Sequence, residues 1–113
     1  MPRIQFHLMD SPITAKAALL QALASGPGYG LDLIERVEKR TRGALILGQG
    51  SVYPALRDLE REGLLDSYEG PPTPERGGRP RRYYKLSAFG ERVAAEQTIV
   101  VSQIFGLLPE VAS

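Results

Sequence analysis

The sequence predicts a mainly α-helical fold of the α+β class. Three observations carry this prediction. Apolar residues recur at helical spacing in three short segments between positions 13 and 63, two aromatic-rich segments flank a stretch with four prolines at 71–80, and helical spacing returns from position 87 onward. With 113 residues, of which 42% are apolar, the chain can build one hydrophobic core and no second one.

The first helix is predicted from about Ile13 to Leu23, where apolar residues repeat every three or four positions. Ser11, which precedes a proline, is the expected N-terminal cap because its hydroxyl can accept a bond from an unpaired first-turn amide. The run 26–30, GPGYG, ends this helix. It lacks the Gly-Lys-Ser/Thr ending of a phosphate-binding loop and follows a helix, so it is interpreted as a turn.

Two more amphipathic helices are predicted, one over residues 31–43 and another that ends at Gly63. Pro54 restricts the start of the latter, because a proline inside a helix costs about 3 kcal/mol whereas one in the first turn costs little. We therefore expect this helix to begin between Gly48 and Val52.

Residues 64–70 and 81–87 predict a β-hairpin, since the proline-rich run 71–80 between them suits neither a helix nor a strand. Side chains alternate between two faces along a strand. The face expected to point inward carries Arg82, Tyr84 and Leu86. For Arg82, a position over the Tyr84 ring is therefore the alternative to a DNA contact.

Five cations are concentrated on this hairpin, although the formal net charge of the whole chain is only +1. They are Arg76, Arg79, Arg81, Arg82 and Lys85. Arg81 and Lys85 lie on the outward face of the second strand and are expected to point to solvent. Such local charge is typical of a phosphate contact set. The alternative, charges that protect an edge strand from aggregation, explains one or two cations better than five.

Residues 87–113 predict a long closing helix that is capped by Ser87 and runs to about Leu108, before Pro109. Two adjacent apolar stripes make its face wider than one helix needs to pack on a small domain, which predicts a partner subunit. The predicted dimerisation residues are Val93, Gln97, Val100, Val101, Ile104, Phe105, Leu107 and Leu108. The alternative is that both stripes pack only on the chain's own first helix.

This order of elements predicts a winged helix-turn-helix with a two-stranded β wing and a C-terminal dimerisation helix. The second helix of such a pair enters the DNA major groove, which is about 12 Å wide. Residues 1–12 would form an N-terminal arm, 13–86 the DNA-binding domain, and 87–113 the dimerisation helix and tail.

Three stretches resemble the signature segments of PadR-type transcriptional regulators: SGPGYGLDLIERVE at 25–38, GQGSVYPALRDLEREGLL at 48–65 and GGRPRRYYKLSAFGERV at 77–93. The resemblance covers about residues 13 to 108. It implies a dimeric winged-helix repressor, usually with a small-molecule or stress input, in which the closing helix mediates dimerisation.

The family pattern implies that Gly50 and Tyr53 start the recognition helix, Tyr29 lies on the turn before the second helix, and 79–84 lie on the wing. Two features depart from the pattern. Gly48 replaces a frequent serine cap, which costs only a few tenths of a kcal/mol but removes a hydroxyl that could reach phosphate. The chain has no tryptophan, so the stacking of flat aromatic ligands on a tryptophan of the closing helix cannot be carried over.

The predicted DNA-binding residues are Tyr29, Gln49, Gly50, Ser51, Tyr53, Arg57, Arg79, Arg81, Arg82 and Lys85. Residues in the first turn of a recognition helix usually meet base edges. For Tyr53, a phosphate contact through the hydroxyl and ring packing on the preceding helix are equally open. Arg57 is expected to contact DNA; the alternative is an ion pair with Asp58 or Glu60 on a solvated face.

No enzyme, metal site or cofactor is predicted. The chain has no cysteine, and its one histidine, His7, lacks partners for a zinc site or a catalytic triad. No run approaches a secretory signal or the roughly 18 apolar residues of a membrane span, so a cytoplasmic protein is expected.

The sequence thus predicts a homodimeric, sequence-specific regulator of double-stranded DNA, a repressor of a pseudo-palindromic operator that a small molecule at the dimer interface or a stress signal releases. The alternative is a winged-helix module that binds an acidic protein or RNA. Asp58, Glu60 and Glu62 favour this alternative, since they would repel phosphate if they faced the groove.

Overall fold

The computed structural model describes residues 6–7, 13–72 and 74–106. The helices are α1 (Ala15–Leu23), α2 (Gly30–Arg40), α3 (Gln49–Arg61) and α4 (Ala88–Phe105). The strands are β1 (Phe6–His7), β2 (Gly28–Tyr29), β3 (Leu45–Ile46), β4 (Leu65–Glu69) and β5 (Arg82–Leu86). Helix α2 and helix α3 form the helix-turn-helix pair, and β4 and β5 form the wing. The predicted winged helix-turn-helix is confirmed.

The wing belongs to a three-stranded antiparallel sheet with the order β2-β5-β4. The hairpin pairs Leu65 with Leu86 at its base and Glu69 with Arg82 toward its tip. The interpretation of 26–30 as a turn is partly wrong, because Gly28 and Tyr29 form β2 and pair with β5. A two-residue strand has no periodicity of its own, and its pairing with a segment more than fifty positions away is invisible in local sequence. A second small sheet pairs β1 with β3 in parallel.

Helix α1 begins later than predicted. Its cap is Thr14, whose hydroxyl accepts a hydrogen bond from the Ala17 amide at 3.1 Å. The expected cap, Ser11, lies outside the described residues, and Ile13 precedes the helix. Threonine is an effective cap for the same reason as serine, so the error concerns position and not chemistry.

Helix α3 begins at Gln49 with Gly48 as its cap, inside the predicted window. Pro54 lies in the second turn, where its missing amide leaves the carbonyl of Gly50 without its usual helical partner. Gly63 has a φ of +80°, a left-handed conformation that favours glycine and ends the helix as predicted.

The core lies between the three short helices, the base of the hairpin and the first half of α4. Its largest fully buried side chains are Leu19, Leu33, Leu47, Val52, Leu56, Leu59 and Leu65. Tyr84 is buried against them from β5 and Leu86 packs partly against the core, as predicted for the inward face of that strand, whereas Arg82, which was assigned to the same face, is exposed. This core fixes α3 against α1 and α2 and leaves one side of α3 to solvent.

Helix α4 begins after Ser87, whose hydroxyl accepts from the Gly90 amide at 3.0 Å as predicted. It ends at Phe105 and not at Leu108, because Gly106 adopts a left-handed conformation with φ 64°. The apolar pattern of the sequence continues past this glycine, and the helix end was therefore predicted too late, at Leu108. None of the helices in the described residues is long and apolar enough to cross a membrane.

Candidate DNA-binding surface

The solvent-exposed side of α3 carries the residues that the sequence predicts at its start. Gln49, Gly50, Tyr53 and Arg57 are exposed, and Ser51 is half-buried. Gln49, Tyr53 and Arg57 are four residues apart, so they form one stripe along the helix. The opposite side, with Val52, Leu56 and Leu59, is in the core. The helix therefore presents polar and cationic side chains to solvent on one continuous face.

The acids of α3 are engaged within the chain. The Lys16 ammonium on α1 lies 2.6 Å from a Glu62 oxygen and 3.9 Å from an Asp58 oxygen. Glu60 accepts a hydrogen bond from the Ser67 hydroxyl on β4. These contacts direct Asp58 and Glu62 toward α1 and Glu60 toward the wing. The negative charges are therefore partly compensated and lie beside the exposed stripe, not on it.

Arg57 makes no salt bridge among the described residues. The two alternative partners predicted for Arg57 are engaged elsewhere. Asp58 pairs with Lys16 and, at 3.5 Å, with Arg61, and Glu60 accepts a hydrogen bond from Ser67. Burial and the Glu60 carboxylate raise the pKa of the Tyr84 hydroxyl, and the positive charges of Arg82 and Arg57 partly offset that rise. No salt bridge in the described part of the chain therefore neutralises the Arg57 charge.

The Tyr53 ring packs on the first residue of α2. A Cβ placed on Gly30 would lie 2.5 Å from a carbon of that ring, so only glycine leaves room for it. The Tyr53 ring therefore packs on the preceding helix, which was one of the two alternatives expected for it, while 37% of the residue stays exposed. This contact joins the start of α3 to the start of α2.

The cations of the wing differ in how far they are exposed to solvent. Arg79, Arg82 and Lys85 are exposed. Arg81 is half-buried, contrary to the prediction that it points to solvent, and its guanidinium carbon lies 4.3 Å from the centroid of the Tyr29 ring. The unpredicted strand β2 places Tyr29 there. The Arg79 side chain donates to the Arg76 carbonyl at 3.1 Å, which holds it against the turn at the wing tip.

Three tyrosines form a row across the outward face of the sheet, which we call the tyrosine row: Tyr29, Tyr83 and Tyr68. The Tyr29 and Tyr83 ring centroids are 5.4 Å apart with the rings edge to face, and the Tyr83 and Tyr68 centroids are 5.6 Å apart with the rings stacked. Lys85 lies 6.0 Å above the Tyr68 ring. Sequence reasoning missed this row because it requires the register of all three strands.

The predicted dimerisation residues divide between two environments. Val100, Val101 and Ile104 are exposed, as is Ile99, which was not predicted. Val93 packs partly against the chain's own core, and Gln97 accepts a hydrogen bond from the Gln21 amide nitrogen at 2.8 Å. Leu107 and Leu108 lie outside the described residues, and Phe105 ends α4. The exposed apolar stripe of Ile99, Val100, Val101 and Ile104 therefore lies in the second half of α4, while Phe89 is exposed in its first turn.

A cleft of about 490 Å³ separates α1 and the end of α2 from this half of α4. Ala17, Val37 and Val101 give it apolar walls, and Gln21 and Thr98 contribute polar atoms. No group of acidic, histidine or cysteine residues that could bind a metal is found in the described part of the chain.

Comparison with solved structures finds the same fold in several bacterial proteins. A PadR-like transcription factor from Bacteroides fragilis is 29% identical, with a TM-score of 0.67 over 81% of this chain and 84% of that one. A PadR family transcription regulator from Clostridium difficile is 22% identical, with a TM-score of 0.68 over 82% and 92%. The circadian clock associated protein Pex from Anabaena is 23% identical, with a TM-score of 0.65 over 94% and 87%.

The sequence itself matches a family model over residues 19–96, which span α1 to the first half of α4. No curated protein matches the chain significantly by sequence. The matched family consists of transcriptional regulators and not of enzymes, in agreement with the sequence prediction. Since the match includes the helix-turn-helix, the wing and the anchored part of α4, the chain belongs to the PadR-like family of transcriptional regulators.

Proposed function

We propose that the chain is a sequence-specific repressor that binds double-stranded DNA as a homodimer. The observation that carries this proposal is the stripe of Gln49, Tyr53 and Arg57, exposed on α3 beside a cationic wing while the acids of α3 are engaged elsewhere. A helix in the major groove reads base edges through its first turn, and a basic ribbon neutralises phosphates. The family supports DNA-binding regulation in general.

Salt dependence of binding tests the phosphate contacts. Four to five contacts per subunit would give a plot of log affinity against log salt with a slope of about −7 to −9 for a dimer. The probe is the DNA upstream of the chain's own gene, with unrelated duplex as competitor, in a gel-shift or fluorescence anisotropy assay. A slope near zero, or equal affinity for the competitor, contradicts specific DNA binding.

Charge reversal at Arg57 tests the recognition helix. Arg57→Glu should reduce operator affinity by at least tenfold, because it replaces an unpaired cation near phosphate by an anion. Lys39→Glu is the matched control: it makes the same change of charge on the exposed end of α2, where Lys39 pairs with Glu35 at 2.7 Å. Equal loss in both variants would indicate a nonspecific effect of net charge.

The homodimer is supported by the exposed stripe of Ile99, Val100, Val101 and Ile104 on α4. Several large apolar side chains exposed together on one half of a helix usually mark a partner surface. Two recognition helices about 34 Å apart would then require a pseudo-palindromic operator. Analytical ultracentrifugation at micromolar concentration tests the assembly, and a monomer there would contradict it.

The release mechanism we propose uses the cleft between α1, α2 and α4. A small molecule at this edge of the dimer interface would shift α4 against the helix-turn-helix pair and change the distance between the recognition helices. The apolar walls and few polar atoms of the cleft suit an amphipathic compound. A titration in which compounds raise the melting temperature yet leave DNA affinity unchanged would contradict this release. The protein would act in the cytoplasm, where its DNA lies.

The alternative, a module that binds acidic protein or RNA, was favoured by the acids of α3. Asp58 and Glu62 instead interact with Lys16, and Glu60 with Ser67, so this argument for an idle recognition helix is lost. We therefore retain one proposed function.

A further inference from the structure

Arg81 lies where the wing meets the helix-turn-helix pair. Its guanidinium is stacked on the Tyr29 ring at 4.3 Å, and Tyr29 directly precedes Gly30, the residue on which the Tyr53 ring packs. The stacked pair is thus joined, through the peptide bond between Tyr29 and Gly30, to the residue on which the recognition helix packs. Arg79 and Arg82 are exposed and have no ring contact of this kind in the described residues.

Neighbouring interactions fix both partners of the contact between Arg81 and Tyr29. Tyr29 pairs with Tyr83 in the sheet, and its ring meets the Tyr83 ring edge to face at 5.4 Å. The Arg81 carbonyl accepts a hydrogen bond from the Gly70 amide at 2.7 Å, which fixes the backbone from which the guanidinium extends. A planar guanidinium gains from stacking on an aromatic ring and keeps its N–H donors free around its edge.

The Arg81 charge remains available for an anion. Among the described residues no carboxylate pairs with it, whereas Arg36 and Arg61 each have an acidic partner. A free arginine side chain loses rotamer entropy when it binds phosphate, and a side chain already held on a ring loses less. The arrangement therefore favours a preorganised phosphate contact.

We propose that Tyr29 is a positioning residue: its ring holds the Arg81 guanidinium next to the start of α2, so that this cation of the wing meets the DNA backbone in a fixed position. This inference rests on the proposed DNA binding. It differs from the sequence prediction that Tyr29 itself contacts DNA, because here Tyr29 acts through Arg81.

A double-mutant cycle separates these roles. The variants Tyr29→Leu, Tyr29→Phe, Arg81→Ala and Tyr29→Leu with Arg81→Ala are compared on a duplex of about 30 base pairs, long enough for a dimer, over a range of salt. Tyr29→Phe keeps the ring and should lose less affinity than Tyr29→Leu. Tyr29→Leu should lose about threefold to tenfold in affinity, and Arg81→Ala at least as much. Arg81→Ala should also make the salt slope about one unit shallower.

The decisive result is the double variant. If Tyr29 acts through Arg81, adding Tyr29→Leu to Arg81→Ala costs no further affinity. Losses that add would mean that Tyr29 contacts DNA or supports the fold independently, and would overturn the proposal. Tyr68→Leu is the matched control, since it removes the other end of the tyrosine row, where the cation contact is looser at 6.0 Å. A loss as large as that of Tyr29→Leu would assign the effect to the row as a whole.

NMR of the free protein gives a readout that does not require DNA. The Arg81 side-chain N–H resonance should be shifted upfield by the Tyr29 ring current in the wild type and in Tyr29→Phe, and this shift should vanish in Tyr29→Leu. An unshifted wild-type resonance would overturn the positioning role even if DNA binds. If the shift is present and the wild type binds no duplex, the proposed function is refuted and the positioning role with it.

Discussion

The two halves of α4 have opposite surroundings. In the first half, small residues bring the helix close to its own domain: Ala94 is only 3% exposed, and Gly90 lies against the backbone of Leu64. In the second half, branched apolar side chains are open to solvent, with Val100 49% and Ile104 71% exposed. One half of the helix thus packs within the chain, and the other half carries the surface proposed to meet a second copy.

This difference shows that side-chain size distinguishes the packed half from the exposed half better than hydrophobicity does. Glycine and alanine allow the backbone of α4 to approach within van der Waals contact, as at closely packed helix crossings. Valine and isoleucine instead offer area that is stabilising only when it is covered. Changes in the first half should therefore alter folding, and changes in the second half should alter assembly.

Of the variants that test this difference between the two halves, Gly90→Ala should have the largest effect on stability. The added Cβ would lie 2.0 Å from the carbonyl oxygen of Leu64, and a backbone atom cannot move aside as a flexible side chain can. We expect the free energy of unfolding to fall by about 3 kcal/mol, at the upper end for overpacking. Thermal or urea unfolding measures this directly.

Gly50→Ala is the matched control for that variant. Gly50 is also a helical glycine, and nothing lies within 4 Å of the Cβ it would gain. The same substitution there should leave stability unchanged or raise it by up to about 1 kcal/mol through helix propensity. A similar loss in both variants would mean that the close approach of α4 to Leu64 does not limit stability.

Val100→Glu should act on assembly and not on folding. In a dimer, a charge placed in the exposed apolar stripe of α4 would be buried without a partner. The dimer dissociation constant should therefore rise by at least tenfold, equivalent to about 1.4 kcal/mol. Sedimentation velocity measures the dissociation constant, and thermal unfolding at low concentration should change little. Ala95→Glu adds the same charge to an exposed position on another side of α4 and should leave the dimer intact.

Ser87→Ala should have a smaller effect, confined to the anchored half. The Ser87 hydroxyl accepts from the Gly90 amide at 3.0 Å and donates to the Gly63 carbonyl at 2.6 Å, which joins the start of α4 to the end of α3. Loss of a serine cap costs about 1 kcal/mol. Unfolding should register this loss while sedimentation remains unchanged; Ser87→Asp, which keeps a capping oxygen, should recover part of the stability.

Local chemistry explains what could be predicted from the sequence. The Ser87 cap, the start of α3 near Gly48 and the end of that helix at Gly63 depend on neighbours within a turn, so residue type alone indicates them. The exposed stripe of α3 follows from helical spacing, which places Arg57 opposite the core.

Long-range pairing explains what could not be predicted. Strand β2 exists only because β5 lies beside it, and the half-buried Arg81 follows from that pairing. Apolar residues spaced by three and four positions along α4 likewise do not indicate which end of the helix packs on the chain's own core. The prediction therefore grouped Val93 and Gln97 with Val100 and Ile104, although the first two contact their own domain.

Gln97 lies at the boundary between the two halves and provides the smallest and most discriminating test. Its side-chain oxygen accepts from Gln21 Nε2 at 2.8 Å, and the same nitrogen also donates to the Ala94 carbonyl at 2.9 Å. Since Gln21 keeps that second acceptor, Gln97→Ala should lower the free energy of unfolding by only about 0.5–1 kcal/mol. If Gln97 serves the chain's own fold, the dimer dissociation constant measured by sedimentation should not change. A weakened dimer with unchanged unfolding would move the boundary of the partner surface back to Gln97, as the sequence predicts.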